Sequence, residues 1–495
     1  MPYMEYIYRF RSIDALLGKR AELEKQEIFF ASTKQLNDPV EGYKDLFWRG
    51  DVIAWRNFLR HYALCLMQTI LRALENIDGY IVTPENLPIR IIPQEFHPEI
   101  RKIFDAICAK MFGDPELSEL PGLLEGRVSP IRRNELLSVL YPVHFRLFTL
   151  VCTTLQPDSP FHPIDAFFRE RGAQPLRLKE SFAALNDWDT KHPDNPDIVE
   201  AMTAKSRSAI EQTTFIRDYT GISQQHGPVW RVIGSTFPDV YLLSLENLSY
   251  GDWYTACFVA DPTQASMWGY YGDGHCGACL KFKTTAVPSG EPALRLNRQM
   301  GIGGPPYAPE RIFQYSPQPL QEVHYANRYP EVDFFRSLGT LIPAQAAFWF
   351  RGEDGTISST GRDLVMQTEE WRKQYWDTFH AGVTTKLTDW EHEQEYRITL
   401  QSWVADLSIP SERTLRYRFE DLQGIIFGMN MSVADKATIV RIIASKCAEI
   451  GRTDFQFYQA YYSRLTGKVE TALWDLVRFQ QVQSGDASST PSDAS

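Results

Sequence analysis

The chain has 495 residues, a mass of 56.9 kDa and a formal charge of 51 − 62 = −11. Hydrophobic residues make up 43% and aromatics 13%, enough for sizeable cores, which excludes a chain disordered throughout. The acidic balance excludes a protein that coats nucleic acid through bulk charge, and it leaves room for a local basic groove.

Residues 1–10 carry Glu5 and Arg9 and no apolar run, so no secretory signal is expected there. Tyr6–Phe10 reads as a strand. Ser12 is placed to cap a helix from Ile13 to about Lys25, with Ala15, Leu16, Ala21 and Leu23 on its apolar side. Glu27–Ala31 reads as a second strand, and Asn37-Asp38-Pro39 forces a turn. Residues 51–215 differ in texture. Val52–Ile77 carries Phe58, Tyr62, Cys65 and Ile70 on one broad face, and proline-rich interruptions fall at 83–98 and 157–175, so this stretch reads as a mainly helical insertion. Leu136–Leu155 is the nearest approach to a membrane span. Pro142, His144 and Arg146 interrupt it, and a buried helix or strand is the expected form.

Strand patterns return after residue 216, at Val240–Ser244, Trp253–Val259, Ala278–Lys283, Gln321–Tyr325, Tyr396–Leu400 and Gly424–Phe427. An aromatic-rich helical stretch occupies 331–380, Ser432 caps a helix to about Ile450, and Phe455–Tyr458 is a further strand. Ser484–Ser495 holds only Ser, Asp, Ala, Thr, Pro and Gly and reads as a disordered tail. The chain is therefore expected to be α+β, with a small mixed or antiparallel sheet core and a large helical insertion. Residues 1–50 and 216–470 form a split domain, 51–215 the insertion, and 471–495 a C-terminal segment.

Seven cysteines, an odd and sparse set, point to a reduced, cytoplasmic compartment. Cys276 and Cys279 form a lone Cys-x-x-Cys without a second pair, so no metal site is expected. Gly301-Ile302-Gly303-Gly304-Pro305-Pro306 lacks the spacing of a dinucleotide fingerprint or a P-loop and reads as a loop.

Three clusters can carry chemistry. In Tyr8-Arg9-Phe10-Arg11, strand alternation puts Arg9 and Arg11 on one face, where they could hold a phosphate or simply be solvated. In 266–277, Trp268 and Tyr271 lie three apart, able to present an aromatic wall to a flat heterocycle or to pack in a core, and His275 sits among glycines that let backbone approach a ligand. In 386–398, a strand would put Glu393, Glu395 and Arg397 on one face near Lys386 and Trp390. That arrangement is either a paired structural network or a positioned catalytic carboxylate.

Together these segments resemble a bacterial family catalogued as domain of unknown function 2971. The matching stretches are Tyr8-Arg9-Phe10, Phe29–Ser32 with Leu36-Asn37-Asp38-Pro39, Met267–Tyr271 with His275 and Gly277, Val323-His324-Tyr325, Lys386 with Trp390, Glu393, Glu395, Tyr396 and Arg397, and Leu422–Gly428. The order of elements also resembles the ADP-ribosyltransferase superfamily. That resemblance implies NAD as a substrate, a cofactor-contacting Arg9, nicotinamide stacking on Tyr271 or Trp268, and Glu395 as the ribose-holding second Glu of a Glu-x-Glu pair. The superfamily's Ser-Thr-Ser strand has no counterpart in the right place, because Ala31-Ser32-Thr33 comes too early.

The expected site therefore has Glu395 and Glu393 as catalytic groups and Arg9, Arg11, Trp268, Tyr271 and His275 as cofactor contacts. Asn37, Asp38, Lys386, Trp390 and Arg397 would support it. Three functional readings follow. The first is an NAD-consuming enzyme acting on a small nucleotide, with a macromolecular acceptor or water. The second is a nucleic-acid-directed toxin or phage-defence protein. The third is a non-enzymatic nucleotide-sensing or interaction protein. No membrane partner is expected.

Overall fold

Alternation along β1 (Tyr6–Arg11) sets the layering: Ile7 is fully buried against one core, and Phe10 is buried against another on the opposite face. The computed structural model describes residues 4–479 except 76–80, 156–165, 194–196, 221–228, 231, 289, 306, 403 and 478. The expected tail at Ser484–Ser495 lies outside the described residues. The other strands are β2 (Glu27–Phe29), β3 (Ala31–Ser32), β4 (Asp45–Trp48), β5 (Ile131–Arg132), β6 (Tyr254–Val259), β7 (Ala278–Lys283), β8 (Thr285–Ala286), β9 (Pro292–Gly303) and β10 (Glu310–Pro319). They continue as β11 (Gln321–Glu322), β12 (His324–Ala326), β13 (Glu331–Asp333), β14 (Thr385–Leu387), β15 (Glu395–Leu400), β16 (Thr414–Tyr417), β17 (Leu422–Phe427), β18 (Gln456–Ser463) and β19 (Lys468–Leu473).

The chain divides into two units, and the divisions fall elsewhere than the sequence suggested. One unit combines 1–43, 253–329 and 383–495; the other combines 44–252 and 330–382. The helical insertion thus extends to residue 252 and recruits a second segment, because Glu331–Asp333 pairs with Asp45–Trp48 across the intervening chain. The fold is α+β.

The first unit holds a mixed sheet in the order β11-β15-β6-β1-β7-β17-β18-β19, with β3 also on β6, and a second sheet ordered β10-β9-β16-β2, with β8 on β9. Among the described residues, only the β17–β18 pair is parallel in these two sheets. One face of the mixed sheet, with Ile7, Phe258, Leu280 and Ile398, packs against Leu294, Leu296, Leu415 and Tyr417 of the second sheet and Ile439 and Ile443 of the helix Val433–Ile450. Ser432 caps that helix, its hydroxyl accepting from the Asp435 N–H at 3.1 Å. The expected single helix over Ile13–Lys25 is two, Ile13–Leu17 and Glu22–Lys25, because Gly18 ends the first and Ala21 takes a left-handed φ of 49°. Gly301–Gly303, expected as loop, extends β9.

The second unit is mostly helical. Val240–Ser244, expected as a strand, lies inside the helix Phe237–Ser249, whose buried Phe237, Tyr241, Leu245 and Leu248 follow a helical period. The helix Arg133–Leu155 is the one described helix long and apolar enough to cross a membrane, and 61% of its most apolar window is buried. Two fully buried histidines brace this core. His61 Nε2 lies 2.8 Å from the Ile89 carbonyl and must donate, so Nδ1 accepts from the Tyr241 hydroxyl at 2.8 Å. His144 repeats the pattern, with Nε2 2.8 Å from the Ile233 carbonyl and Nδ1 accepting from Tyr62 at 2.8 Å.

Burial lowers both histidines to about 4, below the ordinary 6.5. The unfolded chain therefore binds more protons than the folded one in that window. The stabilisation is complete above pH 6.5 and is lost as pH falls toward 4. Moving from pH 7 to pH 5 should cost about 2 kcal/mol per histidine. The protection factors of the Leu59–Leu66 amides should fall accordingly, and protection equal at both pH values would refute this.

Candidate functional site

β1 and β6 pair at a single position, Tyr8 with Val259. Past it, β6 is taken up by β3 at Thr255 and Tyr254, while β1 runs on beside β7. A cavity of about 260 Å³ opens where the two strands part. Side chains from both faces of the sheet can therefore line one space. Arg9 and Phe258 reach it from the face that carries Ile7, and Cys257, Tyr271 and Glu395 from the other. Glu393, Arg11, Arg20, Phe29 and Asn37 complete the part of the lining that bears on chemistry.

The cationic side of the cavity is built on β1. Arg9 is 6% exposed, donates Nη2 to the Phe29 carbonyl at 3.0 Å and lies 5.3 Å from the Phe258 ring centroid. Its Nε and Nη1 are buried and find no partner among the described residues. A buried guanidinium with unused N–H groups is costly unless something anionic meets it. Burial, with Arg11 nearby, lowers its pKa to about 10, so it stays charged at neutral pH. Arg11 is committed elsewhere, with Nε and Nη2 on the buried Glu22 carboxylate. Arg20, half-exposed, lies 4.1 Å from the Phe29 ring centroid.

The anionic side is a buried network. Arg397, fully buried, donates Nε to Glu395 Oε1 at 2.7 Å and Nη2 to Glu395 Oε2 at 3.1 Å. Its Nη1 donates to Glu41 Oε1 at 2.7 Å and to the Val383 carbonyl at 2.9 Å. Lys386 Nζ meets Glu393 Oε2 at 2.6 Å, Glu395 Oε2 at 3.4 Å and Glu41 Oε2 at 3.7 Å, and it lies 4.6 Å from the Trp390 ring centroid. The Tyr271 hydroxyl donates to Glu393 Oε1 at 2.7 Å. Three carboxylates thus face two cations. Burial alone would raise Glu395, but Arg397 and Lys386 outweigh it and hold it at about 2. Burial alone would lower Lys386, but Glu395, Glu393 and Glu41 carry it above the ordinary lysine range. Glu41 is raised by burial, which Arg397 and Lys386 only partly offset. Burial also pushes up the Tyr271 hydroxyl, reinforced by Glu393. At neutral pH, then, this side presents a fixed carboxylate and a protonated phenol.

Of the residues expected to form a site, Arg9, Arg11, Asn37, Tyr271, Glu393 and Glu395 line this one cavity, and Lys386, Trp390 and Arg397 stand behind its carboxylates. Three do not contribute a lining. Trp268 is fully buried, edge-on to Phe10 at 4.9 Å, with its indole N–H on the Pro262 carbonyl at 2.8 Å. The helix ends at Tyr270, so Trp268 turns into the core while Tyr271 turns into the cavity. His275 stacks on Trp268 at 6.4 Å, away from the cavity. Asp38 accepts from the Val40 N–H at 3.0 Å and shapes the turn after Asn37.

Two glycines of 266–277, Gly272 and Gly277, are required by close packing, while Gly269 and Gly274 have open space at the Cβ position. A Cβ on Gly277 would lie 2.3 Å from the Arg11 carbonyl oxygen, and one on Gly428 would lie 2.2 Å from the His275 carbonyl oxygen. Cys276 is exposed in the turn and Cys279 is buried in β7. Glu393 is not on the strand with Glu395. It ends a 3-10 turn, and Gln394, with a φ of 45°, swings the chain so that both carboxylates still reach Lys386.

Sequence reasoning missed Glu41, Cys257, Arg20 and the role of Tyr325. Glu41 joins Arg397 across 356 positions, and only its place after the Asn37-Asp38-Pro39 turn marks it. Cys257 was foreseeable once Trp253–Val259 was read as a strand, since it pairs with Arg397 in the ladder and shares its face. The Tyr325 hydroxyl accepts from the Glu395 N–H at 3.0 Å, fixing the start of β15. No family model, curated protein or solved structure matches this chain, so the chemistry of the site rests on its own geometry.

Proposed function

We propose that this cavity binds a nucleotide and that the protein is an NAD-consuming enzyme of ADP-ribosyltransferase-like type, cleaving the bond between ribose and nicotinamide. One observation carries the reading. Arg9, a buried cation with two unused nitrogens, shares a cavity with Glu395, a carboxylate held ionised. A molecule with a phosphate at one end and a carbon that becomes positive in the reaction suits both. Arg9 would take the phosphate, with Arg20 at the more exposed margin. Tyr271 would lie along the nicotinamide.

When the C–N bond breaks, its electron pair passes to the ring nitrogen and neutralises the pyridinium. The ribose carbon gains positive character, which Glu395 stabilises. Water or an acceptor hydroxyl then adds to that carbon and gives up its proton, with Glu393 as the proton acceptor. A second reading has one observation in its favour: both oxygens of Glu395 already accept hydrogen bonds from Arg397, as they would in a non-enzymatic nucleotide-binding protein.

The test is calorimetric titration of the full chain with NAD, beside an assay for released nicotinamide. Wild type should bind and turn over NAD. Arg9→Gln should weaken binding by at least tenfold, since a charge-assisted hydrogen bond contributes about 1.5–3 kcal/mol. Binding without nicotinamide release would select the non-enzymatic reading, and no binding by wild type would remove both.

A further inference from the structure

A second cavity, of about 270 Å³, opens in the other sheet by the same device. β9 and β16 pair at Asn297–Arg416 and Leu296–Tyr417 and then part. The opening is lined by Arg298 and Gln299 of β9, by Thr414 and Leu415 of β16, and by Leu400 and Leu407 beneath. We propose that it is a binding site, separate from the first, for a small organic carboxylate that also carries a neutral hydrogen-bond donor and an apolar body, such as a branched hydroxy acid, with Arg298 as its anchor.

Three features give that chemistry. First, Arg298 is half-buried and has no carboxylate partner among the described residues. It spends Nη1 on the Gln318 side-chain oxygen at 3.3 Å and Nη2 on the Gln401 carbonyl, both neutral acceptors, and so retains its full charge for a ligand. The other two arginines of the lining are already paired, Arg311 with Glu412 at 2.7 Å and Arg416 with Glu27 at 3.9 Å. Three arginines against two glutamates leave one excess positive charge, which a single carboxylate neutralises and an ammonium would worsen.

Second, the side-chain oxygen of Gln299 is buried without a partner among the described residues, while its amide nitrogen donates to the Gly301 carbonyl at 3.4 Å. An unmet acceptor in a cavity calls for an O–H or N–H on the ligand. Third, the floor is apolar: Leu400, Leu407 and Leu415 are buried core residues, so a hydrocarbon body fits where a bare inorganic ion would leave apolar surface wet. The nucleotide proposal takes no part in this reasoning, and neither Arg9 nor Glu395 lines this cavity.

The test is isothermal titration of the full chain with 2-hydroxy-4-methylpentanoate, with 4-methylpentanoate and with inorganic phosphate. The hydroxy acid should bind one site saturably, and removing its hydroxyl should weaken binding about tenfold, the effect of leaving a buried acceptor unmet. Arg298→Gln should abolish binding, and Arg9→Gln should leave it unchanged. In wild-type protein, which needs no variant to fold, the hydroxy acid should protect Arg298 from modification by phenylglyoxal in peptide mass maps. The proposal is overturned by absence of saturable binding, by phosphate binding as tightly as the hydroxy acid, or by Arg298 reacting equally with and without the ligand.

Discussion

Replacing Arg397 with methionine should destabilise the unit built on β1 by about 3–5 kcal/mol, the range for removing one partner from a buried ion network. Arg397 is fully buried and makes four hydrogen bonds, two to Glu395, one to Glu41 and one to the Val383 carbonyl. Methionine keeps much of the length and none of the donors. Lys386 would then face Glu41, Glu393 and Glu395 alone. The simplest relief is protonation of Glu41, whose pKa burial already raises. A carboxyl raised in the fold binds its proton more readily there than in the unfolded chain, so that relief is available at acid pH and lost as pH rises.

The deficit should accordingly be smaller at pH 5 than at pH 7, and adding Glu41→Gln should recover part of it at pH 7. Amide exchange in β6 and β15 reads the local stability. A loss below about 1 kcal/mol, typical of exposed pairs, would mean that the network does not hold the sheet together.

Local patterns revealed those elements whose physics is local. Alternation disclosed β7, where Ala278, Leu280 and Phe282 are buried in one core, and β1, where Ile7 enters that core and Phe10 the one on the opposite face. The Ser432 cap disclosed the helix Val433–Ile450, because capping is settled within four residues. Val240–Ser244 misled for the opposite reason. Five residues of Val, Tyr, Leu, Leu and Ser satisfy strand preferences, and only the wider spacing of Phe237, Tyr241, Leu245 and Leu248 exposes the helical period.

The hairpin of β9 and β10 was hidden by Gly301, Gly303 and Pro305, read as loop though the pairing runs on through Gly303. The recruitment of 330–382 into the second unit could not be read at all, since parallel pairing of β13 with β4 joins residues nearly 290 positions apart and leaves no mark in either segment. At the site, the charge-bearing motifs were visible, but their use was not. Trp268 and Tyr271 looked equivalent three residues apart, and the end of the helix at Tyr270 separates them into core and cavity. Arg9 and Glu395 lie on opposite faces of one sheet, an arrangement that should keep them apart. They share a space only because β1 and β6 pair at one position and then diverge.

That divergence makes Glu395→Gln the sharpest test of the chemistry. If Glu395 stabilises a developing positive centre, exchanging its carboxylate for an amide should lower turnover of NAD by about 10²–10³-fold, the effect of removing one preorganised electrostatic partner of a transition state. KM should change little, because the phosphate contact proposed for Arg9 is untouched. Arg9→Gln should show the reverse split, with KM raised more than kcat falls. The pH dependence shows which group limits the rate. Glu395 is held at about 2 because Arg397 and Lys386 outweigh the effect of burial, so it is ionised at every pH at which the fold persists. With that pKa, Glu395 gives no acid limb of its own between pH 5 and 9, whether it acts by charge or by proton transfer, so a limb in that range would belong to another group.

The fold must be intact for the comparison to count. Glutamine preserves the volume and one acceptor for Arg397, but its amide nitrogen faces the guanidinium or Lys386, so some loss of stability is expected and amide exchange in β15 should be measured beside the rate. A folded Glu395→Gln protein that releases nicotinamide as fast as wild type would leave the network a purely structural one, built to bury Arg397, and would shift the assignment to a binding protein.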